Sequence, residues 1–163
     1  NIKKSNMLDA RKLYACDIDL IKEMIRPAGF FNRKAVILKS VMTFLVEEFD
    51  ADLDRMFQNP LEVLRDKLLK VKGIGPETAD SILLYAGYKK IFVVDAYTIR
   101  IFTCLGFLKG DEKYHDVQSF FMKNLPEDVD LYNQFHALIV KLGSDCCSGR
   151  KPKCDSCALR DCM

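Results

Sequence analysis

The sequence contains no tryptophan, few turn-forming residues and no long hydrophobic run. No segment approaches the roughly 18–20 consecutive apolar residues of a membrane-spanning helix, so we expect no membrane partner. Glycine (8) and proline (5) are sparse, and the apolar segments recur at helical spacing with few β-branched alternations, which argues against a β protein. With 49% hydrophobic residues the 163-residue chain can bury a core, and it is predicted to be all-α, with one or two small domains.

The net charge is also low, at +2, but the charges are unevenly distributed. Basic residues outnumber acidic ones by nine to four over residues 1–40, by seven to four over residues 65–100 and by five to three over residues 141–163. This pattern fits a protein with one basic face that binds a polyanion and an acidic face on the opposite side. Each block alone also fits an ordinary solvated surface.

The stretch of residues 69–86 indicates a helix, a tight glycine turn and a second helix. Gly73 and Gly75 flank a single apolar residue, and Pro76 stands where a helix tolerates proline, at its first position. Free amides and the dipole at the start of the second helix suit a phosphate, and Lys72 adds a positive charge. An ordinary helical hairpin that binds nothing would show the same glycines.

Seven cysteines is an odd number, and four of them lie in the last 17 residues. That distribution is a poor disulfide framework and a good metal site in a reducing compartment. Cys147, Cys154, Cys157 and Cys162 are separated by six, two and four residues, and Cys146 is an adjacent spare. Four thiolates on short loops can hold either an iron–sulfur cluster or a tetrahedral zinc, and the spacing alone does not separate the two.

An aspartate follows the short apolar connector of residues 89–94. Asp95 opens the next predicted helix, so it can serve simply as an N-cap. His136, in a later helix, is interpreted as a packed histidine in preference to a catalyst, and His115 as an exposed one. Asn32 is predicted to cap the long helix that ends near Phe49.

These motifs together resemble a known family. The string apolar-Lys-Gly-Ile-Gly-Pro-x-Thr-Ala, followed by Val93-Val-Asp95 and by Arg100, resembles the helix–hairpin–helix, the Gly/Pro-rich loop and the aspartate of the endonuclease III superfamily of DNA glycosylases. The segment Ile25–Ala35 also resembles the helix pair that precedes the hairpin there. The resemblance covers roughly residues 20–162. Family members carry further helices before the equivalent of Asn1, where part of their base pocket lies.

The resemblance implies a chemistry for two positions. Asp95 matches the family's catalytic aspartate, whose carboxylate stabilises the positive charge that develops on the sugar as the N-glycosidic bond breaks. Members that also cut the strand carry a lysine where this chain has Glu77, and a glutamate cannot form their Schiff base with the sugar. The string around Glu77 and Tyr85 looks most like the 3-methyladenine glycosylases of endonuclease III type.

The family also implies a 4Fe–4S cluster on Cys147, Cys154, Cys157 and Cys162, although family members separate the last two ligands by five residues and this chain by four. The implied fold is a helical barrel-type domain packed on a helical cluster domain. Its boundaries here are residues 1–90, lacking part of the usual N-terminal helices, and residues 91–163. The residues expected to bind DNA are Lys72, Gly73, Ile74, Gly75, Thr78, Arg150, Lys151 and Lys153. Candidates to stack on an extruded base are Phe30, Phe31, Tyr85 and Tyr97.

The resulting hypothesis is a monomeric, monofunctional base-excision-repair glycosylase for alkylated purines in double-stranded DNA, in a prokaryotic cytoplasm at the nucleoid. Three alternatives stay open: an endonuclease III-like glycosylase/lyase for oxidised pyrimidines, a non-catalytic DNA-binding module, and an electron carrier. Under the second alternative Asp95 merely caps a helix. An electron-carrier function would not explain the cationic loop or the hairpin.

Overall fold

The computed structural model describes residues 1–149 and 151–160, and within them all regular secondary structure is helical. This confirms the predicted all-α class. The chain forms two compact units, Asn1–Gly75 and Pro76–Met163. The functional boundary predicted at residue 90 stays a prediction. In the described part, no helix is both long enough and apolar enough to cross a bilayer.

The first unit consists of five α-helices. Its elements are α1 (Ala10–Ala15), α2 (Ile18–Met24), a 3₁₀ turn (Arg26–Ala28), α3 (Phe31–Phe49), α4 (Leu53–Phe57) and α5 (Leu61–Leu69). The helices α1 and α2 pack on α3, around a core that includes Leu13, Ile21 and Ala35. The Lys39 side chain of α3 donates hydrogen bonds to carbonyls at the end of α1, among them that of Cys16 at 2.6 Å.

The sequence misplaces the start of α3. Asn32 was expected at the N-cap, but it lies inside the helix, and Phe30 holds the N-cap position in a left-handed conformation with φ of 46°. Gly29 precedes it with φ of 62°. The chain therefore reverses over two residues with positive φ, so that the helix begins before an asparagine side chain can cap it.

The second unit contains the remaining helices of the described residues. Helix α6 (Pro76–Ser81) continues as one π-helical turn (Ile82–Ala86), and α7 (Ala96–Cys104), α8 (Tyr114–Asn124), α9 (Val129–Asp145) and a 3₁₀ turn (Cys154–Ser156) follow. As predicted, Pro76 opens α6, and Asp128 caps α9. The buried connector before α7 lies in the core, where the ring of Phe92 stacks on that of Phe121 at 4.3 Å.

Two features hold this unit together around the connector. Asp80 of α6 is fully buried and accepts hydrogen bonds from Tyr114 (2.8 Å) and Gln118 (2.7 Å) of α8. Gln118 also donates to the carbonyl of Phe92 at 2.6 Å. Helix α7 packs on α9, and a Cβ atom added at Gly143 of α9 would lie 2.2 Å from the Tyr97 ring. Only glycine permits that approach.

Candidate active site

The second unit places Asp95 where the connector enters α7. Its Oδ1 accepts hydrogen bonds from the Thr98 amide (2.7 Å) and the Thr98 hydroxyl (2.8 Å), and the Asp95 amide donates to the Thr98 hydroxyl oxygen at 3.4 Å, which completes a capping box. The side chain is only 12% exposed. Asp95 is thus an N-cap, as the sequence allowed, but only one carboxylate oxygen makes the cap.

The second oxygen of Asp95 faces a buried histidine. His136 of α9 is 6% exposed, and its Nε2 lies 3.7 Å from Asp95 Oδ2. The other ring nitrogen, Nδ1, contacts the hydroxyl of Tyr85 from the π-helical turn. Burial lowers the pKa of His136 below its ordinary value, and the charge of Asp95 opposes that shift. This shift favours the neutral imidazole.

Glu77, in the first turn of α6, is electrostatically linked to Asp95. Partial burial, and then the charge of Asp95, raise the pKa of the Glu77 carboxyl. The same two causes, in the same order, raise the pKa of Tyr85. The position at which the resemblance expects a Schiff-base lysine thus lies within the electrostatic reach of Asp95.

The glycine turn belongs to the first unit. Gly73 has φ of 89°, and a Cβ atom there would meet Cγ1 of Ile37 at 2.6 Å, so the turn needs glycine for both reasons. Lys72 is exposed, but Ile74 is buried at 7%, and its amide donates to the Val71 carbonyl at 3.0 Å. Within the described residues, no backbone hydrogen bond from the amides of Gly73 or Gly75 is found. In the second unit, Thr78 is exposed on α6.

The cysteine tail folds back on α7. A cavity of about 160 Å³ is lined by Cys147, Cys154 and Cys157, and also by Cys104 of α7 and Cys146. Burial is the main cause that raises the pKa of the Cys147 thiol. Among the residues described, no three metal-ligating side chains are arranged as a metal site. The fourth expected ligand, Cys162, lies outside the described residues.

Two features of this region were not found from the sequence. Cys104 was not considered, because it is more than 40 residues from the tail. Arg100 entered only as part of the family string, but its guanidinium donates to the Cys147 carbonyl at 2.5 Å and lies 5.4 Å from the centre of the Tyr97 ring. Exposed Lys151 and Lys153 lie in the loop that this bond anchors, and Arg150 is outside the described residues.

The four aromatic side chains proposed to stack on an extruded base differ in their exposure to solvent. Phe30 is 88% exposed and Tyr85 is 43% exposed, which leaves both rings open to a ligand. Phe31 is half-buried and lies under the Arg26 guanidinium at 5.6 Å, and Tyr97 is held between α7 and α9. Exposed His115 agrees with the sequence interpretation, with a side chain that is 69% accessible.

Comparison with known proteins agrees with this geometry. Residues 2–127 match the family model described as HhH-GPD superfamily base excision DNA repair protein. The chain belongs to this superfamily. Its members include the endonuclease III proteins that the sequence resembles, so the predicted family and its helix–hairpin–helix fold are confirmed.

Individual members of the HhH-GPD superfamily show the extent of the similarity. A Methanocaldococcus jannaschii protein, named provisionally as a DNA repair glycosylase, is 43% identical over 99% of this chain and 73% of its own length. Endonuclease III of Sulfolobus acidocaldarius is 38% identical over 89% of the chain but only 62% of its own length. The chain thus spans about three fifths of that relative.

The solved structures give the same fold. The H. pylori 3-methyladenine DNA glycosylase bound to 1,N6-ethenoadenine aligns with a TM-score of 0.76 and 29% identity, over 88% of this chain and 73% of that one. A non-covalent endonuclease III–DNA complex aligns with the same TM-score and 23% identity, over 96% of this chain and 68% of that one.

Proposed function

We propose that this HhH-GPD chain is a monofunctional DNA glycosylase that hydrolyses the N-glycosidic bond of an extruded, damaged base and leaves an abasic site. The observation that carries the proposal is the carboxylate of Asp95, of which one oxygen is tied to Thr98 and the other is not part of the cap. As the bond breaks, positive charge grows on the sugar, and a preorganised carboxylate stabilises it and accepts a proton from the attacking water.

The monofunctional outcome follows from Glu77. Strand cleavage by this superfamily requires an amine that attacks the anomeric carbon and forms an imine. A carboxyl group at this position cannot form one, and the raised pKa of Glu77 supports its closeness to Asp95. Hydrolysis is the reaction that remains for a lone carboxylate.

An alkylated purine is the substrate we favour. Such a base is a cationic leaving group, so it departs without a strong general acid. The solved glycosylase that is 29% identical to this chain is named for 3-methyladenine and was captured with an ethenoadenine. The second candidate is the glycosylase/lyase activity of the endonuclease III relatives, since one of them is 38% identical.

DNA is proposed to be held by backbone amides and cations. In the first unit, the amides of Gly73 and Gly75 and the side chain of Lys72 suit phosphate oxygens. Ile74 contributes packing to the turn and no free amide, because its N–H already has an acceptor. In the second unit, Thr78 and the loop cations Lys151 and Lys153 are accessible. We add Arg150 from the sequence alone.

A 4Fe–4S cluster is the group we assign to the cysteine tail. The donor set fits, because three of the four expected cysteines line one cavity and thiolates are the ligands that such clusters use. When bound to Cys147, Cys154, Cys157 and Cys162, the cluster would cross-link the tail, which has too few apolar residues to fold alone. The protein's own contribution is the cationic loop that this cross-link holds.

The decisive experiment scores base release on duplexes that each carry one lesion: 3-methyladenine, ethenoadenine, thymine glycol or uracil. We expect release from the alkylated purines, and nicking only after alkali. Asp95→Asn should abolish release and preserve duplex affinity. The matched control is Asp128→Asn, which makes the same change at another helix cap, where the carboxylate accepts from the Leu131 amide at 2.7 Å. That variant should keep its activity.

Each alternative has its own result. Direct nicking of thymine-glycol DNA, trapped by borohydride, would establish the glycosylase/lyase. If Asp95→Asn and the wild type both bind duplex DNA and neither releases a base from any lesion, the chain is a binding module. Glu77→Lys provides a gain-of-function check, because it restores an amine near Asp95 and should make a borohydride-trapped adduct detectable.

A further inference from the structure

An unpaired polar atom is buried beside the proposed catalytic carboxylate. Nε2 of His136 is inaccessible to solvent and has no hydrogen-bond partner in the part of the chain that is described. Buried polar atoms are nearly always paired, because an unpaired one loses its hydration without replacement. The nearest charged acceptor is Oδ2 of Asp95, 3.7 Å away, which is beyond an ordinary hydrogen bond.

The surroundings of His136 decide which ring nitrogen carries the proton. Burial and the charge of Asp95 raise the pKa of Tyr85, so the phenol stays protonated and can donate to Nδ1. A neutral imidazole that accepts at Nδ1 carries its proton on Nε2. We therefore assign an N–H that is directed at Asp95. The other ring that packs on His136, Phe92 of the connector, is uncharged.

Asp95 has one oxygen available for this donor. Oδ1 already accepts two hydrogen bonds from Thr98, whereas Oδ2 is the atom nearest to His136. Hydrogen bonds of catalytic groups are often long in a free enzyme and shorten when substrate is bound. A small rotation of the carboxylate would bring Oδ2 within bonding distance.

We propose that His136 is a positioning residue for Asp95, whose Nε2–H closes on Oδ2 when a nucleotide is seated, and that Tyr85 sets the tautomer that makes this possible. The inference depends on the proposed function, in which the Asp95 carboxylate acts at the sugar. With both oxygens held, the carboxylate keeps its charge and its orientation as positive charge develops, and the imidazole itself touches no substrate.

Two substitutions at His136 separate positioning from packing. His136→Leu fills space but removes the donor, whereas the amide of His136→Gln can place an N–H near the position of Nε2. In single-turnover base release, we expect His136→Leu to be slowed roughly 10- to 100-fold, as for the loss of one hydrogen bond to a charged group. Duplex affinity should stay within about twofold, and the glutamine variant should recover most of the rate. Tyr85→Phe should lie in between.

A second measurement needs no activity. The Asp95 carboxyl is labelled with ¹³C, and its NMR chemical shift is recorded with and without a duplex that carries an abasic-site analogue, in the wild type, His136→Leu and His136→Gln, after circular dichroism has shown that each is folded. A donor that closes on Oδ2 when the nucleotide is seated changes the surroundings of this carbon. The change in its chemical shift on binding should therefore be smaller in the leucine variant than in the wild type, and the glutamine variant should resemble the wild type.

The inference fails if the leucine variant shows the chemical-shift change and the rate of the wild type, or if the glutamine variant is as impaired as the leucine variant. The latter result would assign His136 to packing alone. Should the wild-type chain release no base from any duplex, the proposed function fails, and the NMR comparison still decides whether His136 acts on Asp95.

Discussion

Replacement of Gly143 by alanine should displace α7 from α9. The added Cβ atom would lie 2.2 Å from Cδ1, 2.4 Å from Cγ and 2.7 Å from Cβ of Tyr97. These atoms are at the base of the side chain, so a change of ring rotamer alone cannot make room. Either the Tyr97 backbone in α7 or the α9 backbone has to move.

The expected change in the free energy of unfolding is the difference between two effects. Overpacking a buried contact costs about 1–3 kcal/mol, and overlaps of this size belong at the upper end of that range. Alanine gains about 1 kcal/mol over glycine in a helix interior. The net loss in the free energy of unfolding is about 2 kcal/mol, which lowers Tm by roughly 4–8 °C in a chain of this length.

The rate of base release by Gly143→Ala should fall by more than its loss of stability explains. Asp95 caps the same helix two residues before Tyr97, and a misplacement of about 1 Å can slow a reaction about 100-fold. Thermal melting by circular dichroism gives the first quantity, and single-turnover base release at 25 °C gives the second. Gly149→Ala is the control for Tm, because its added Cβ would come no closer than 3.7 Å to any residue other than its chain neighbours.

The double variant with Tyr97→Ala tests the cause. That substitution removes the two atoms that the new methyl group would approach most closely, so the two changes together should cost less than the sum of their separate effects. If the Tm of Gly143→Ala equals or exceeds that of the wild type, the close contact described between Gly143 of α9 and Tyr97 of α7 is contradicted. Strict additivity in the double variant would place the strain elsewhere.

Three further predictions concern buried charge and the turn. Gln118→Glu puts a second carboxyl against buried Asp80, so Tm should fall strongly at pH 7 and recover on acidification, as protonation removes the repulsion. Glu77→Gln should raise Tm at pH 7 and leave it unchanged near pH 4. The pKa of Glu77 is raised in the folded state, so ionisation of this carboxyl destabilises the fold. Stability is therefore lost as the pH rises above the pKa that Glu77 has in the unfolded chain. Gly73→Ala should lower both Tm and duplex affinity, because of its positive φ and its contact with Ile37.

Two of these variants have a matched control, and the third has a result that would contradict it. Gln118→Met removes the same donor without adding charge, so it should lower Tm less at pH 7, and recover less on acidification, than Gln118→Glu. An equal stabilisation by Glu77→Gln at pH 4 and pH 7 would contradict the assigned ionisation. Gly75→Ala meets no atom within 4 Å and should leave Tm nearly unchanged, so an equal loss in both glycine variants would remove the special role of Gly73.

Most of the helix ends depend on interactions between residues that are close in the sequence, so they could be predicted from it. Asp95 caps its helix as the sequence indicates, since an N-cap bond spans only two or three residues, and Asp17 and Asp128 cap theirs in the same way. Gly87 ends the π-helical turn. The start of α3 was missed because Phe30 adopts positive φ, which no propensity favours for a bulky side chain.

Residues of the candidate site could be proposed from the sequence only where they lie in one motif. Asp95 and Glu77 belong to the family string, but His136 is 41 residues from Asp95 and looked like a core histidine. One signal could have found it. Gly143, an unexpected glycine inside a helix, lies seven residues after His136 and so on the same face of α9. That glycine marks where another backbone approaches, and α7, with Asp95 at its start, is the element that approaches.

The sequence leaves two roles open for Asp95, a helix cap and a catalytic carboxylate, and the geometry is compatible with both. Oδ1 serves the cap through Thr98, and Oδ2 is left for His136. Asparagine caps a helix about as well as aspartate, so Asp95→Asn should retain the fold. Its amide, however, would carry no charge and would turn a donor toward the Nε2–H of His136. A variant that stays folded and binds DNA, yet releases no base, is the result that a cap alone cannot produce.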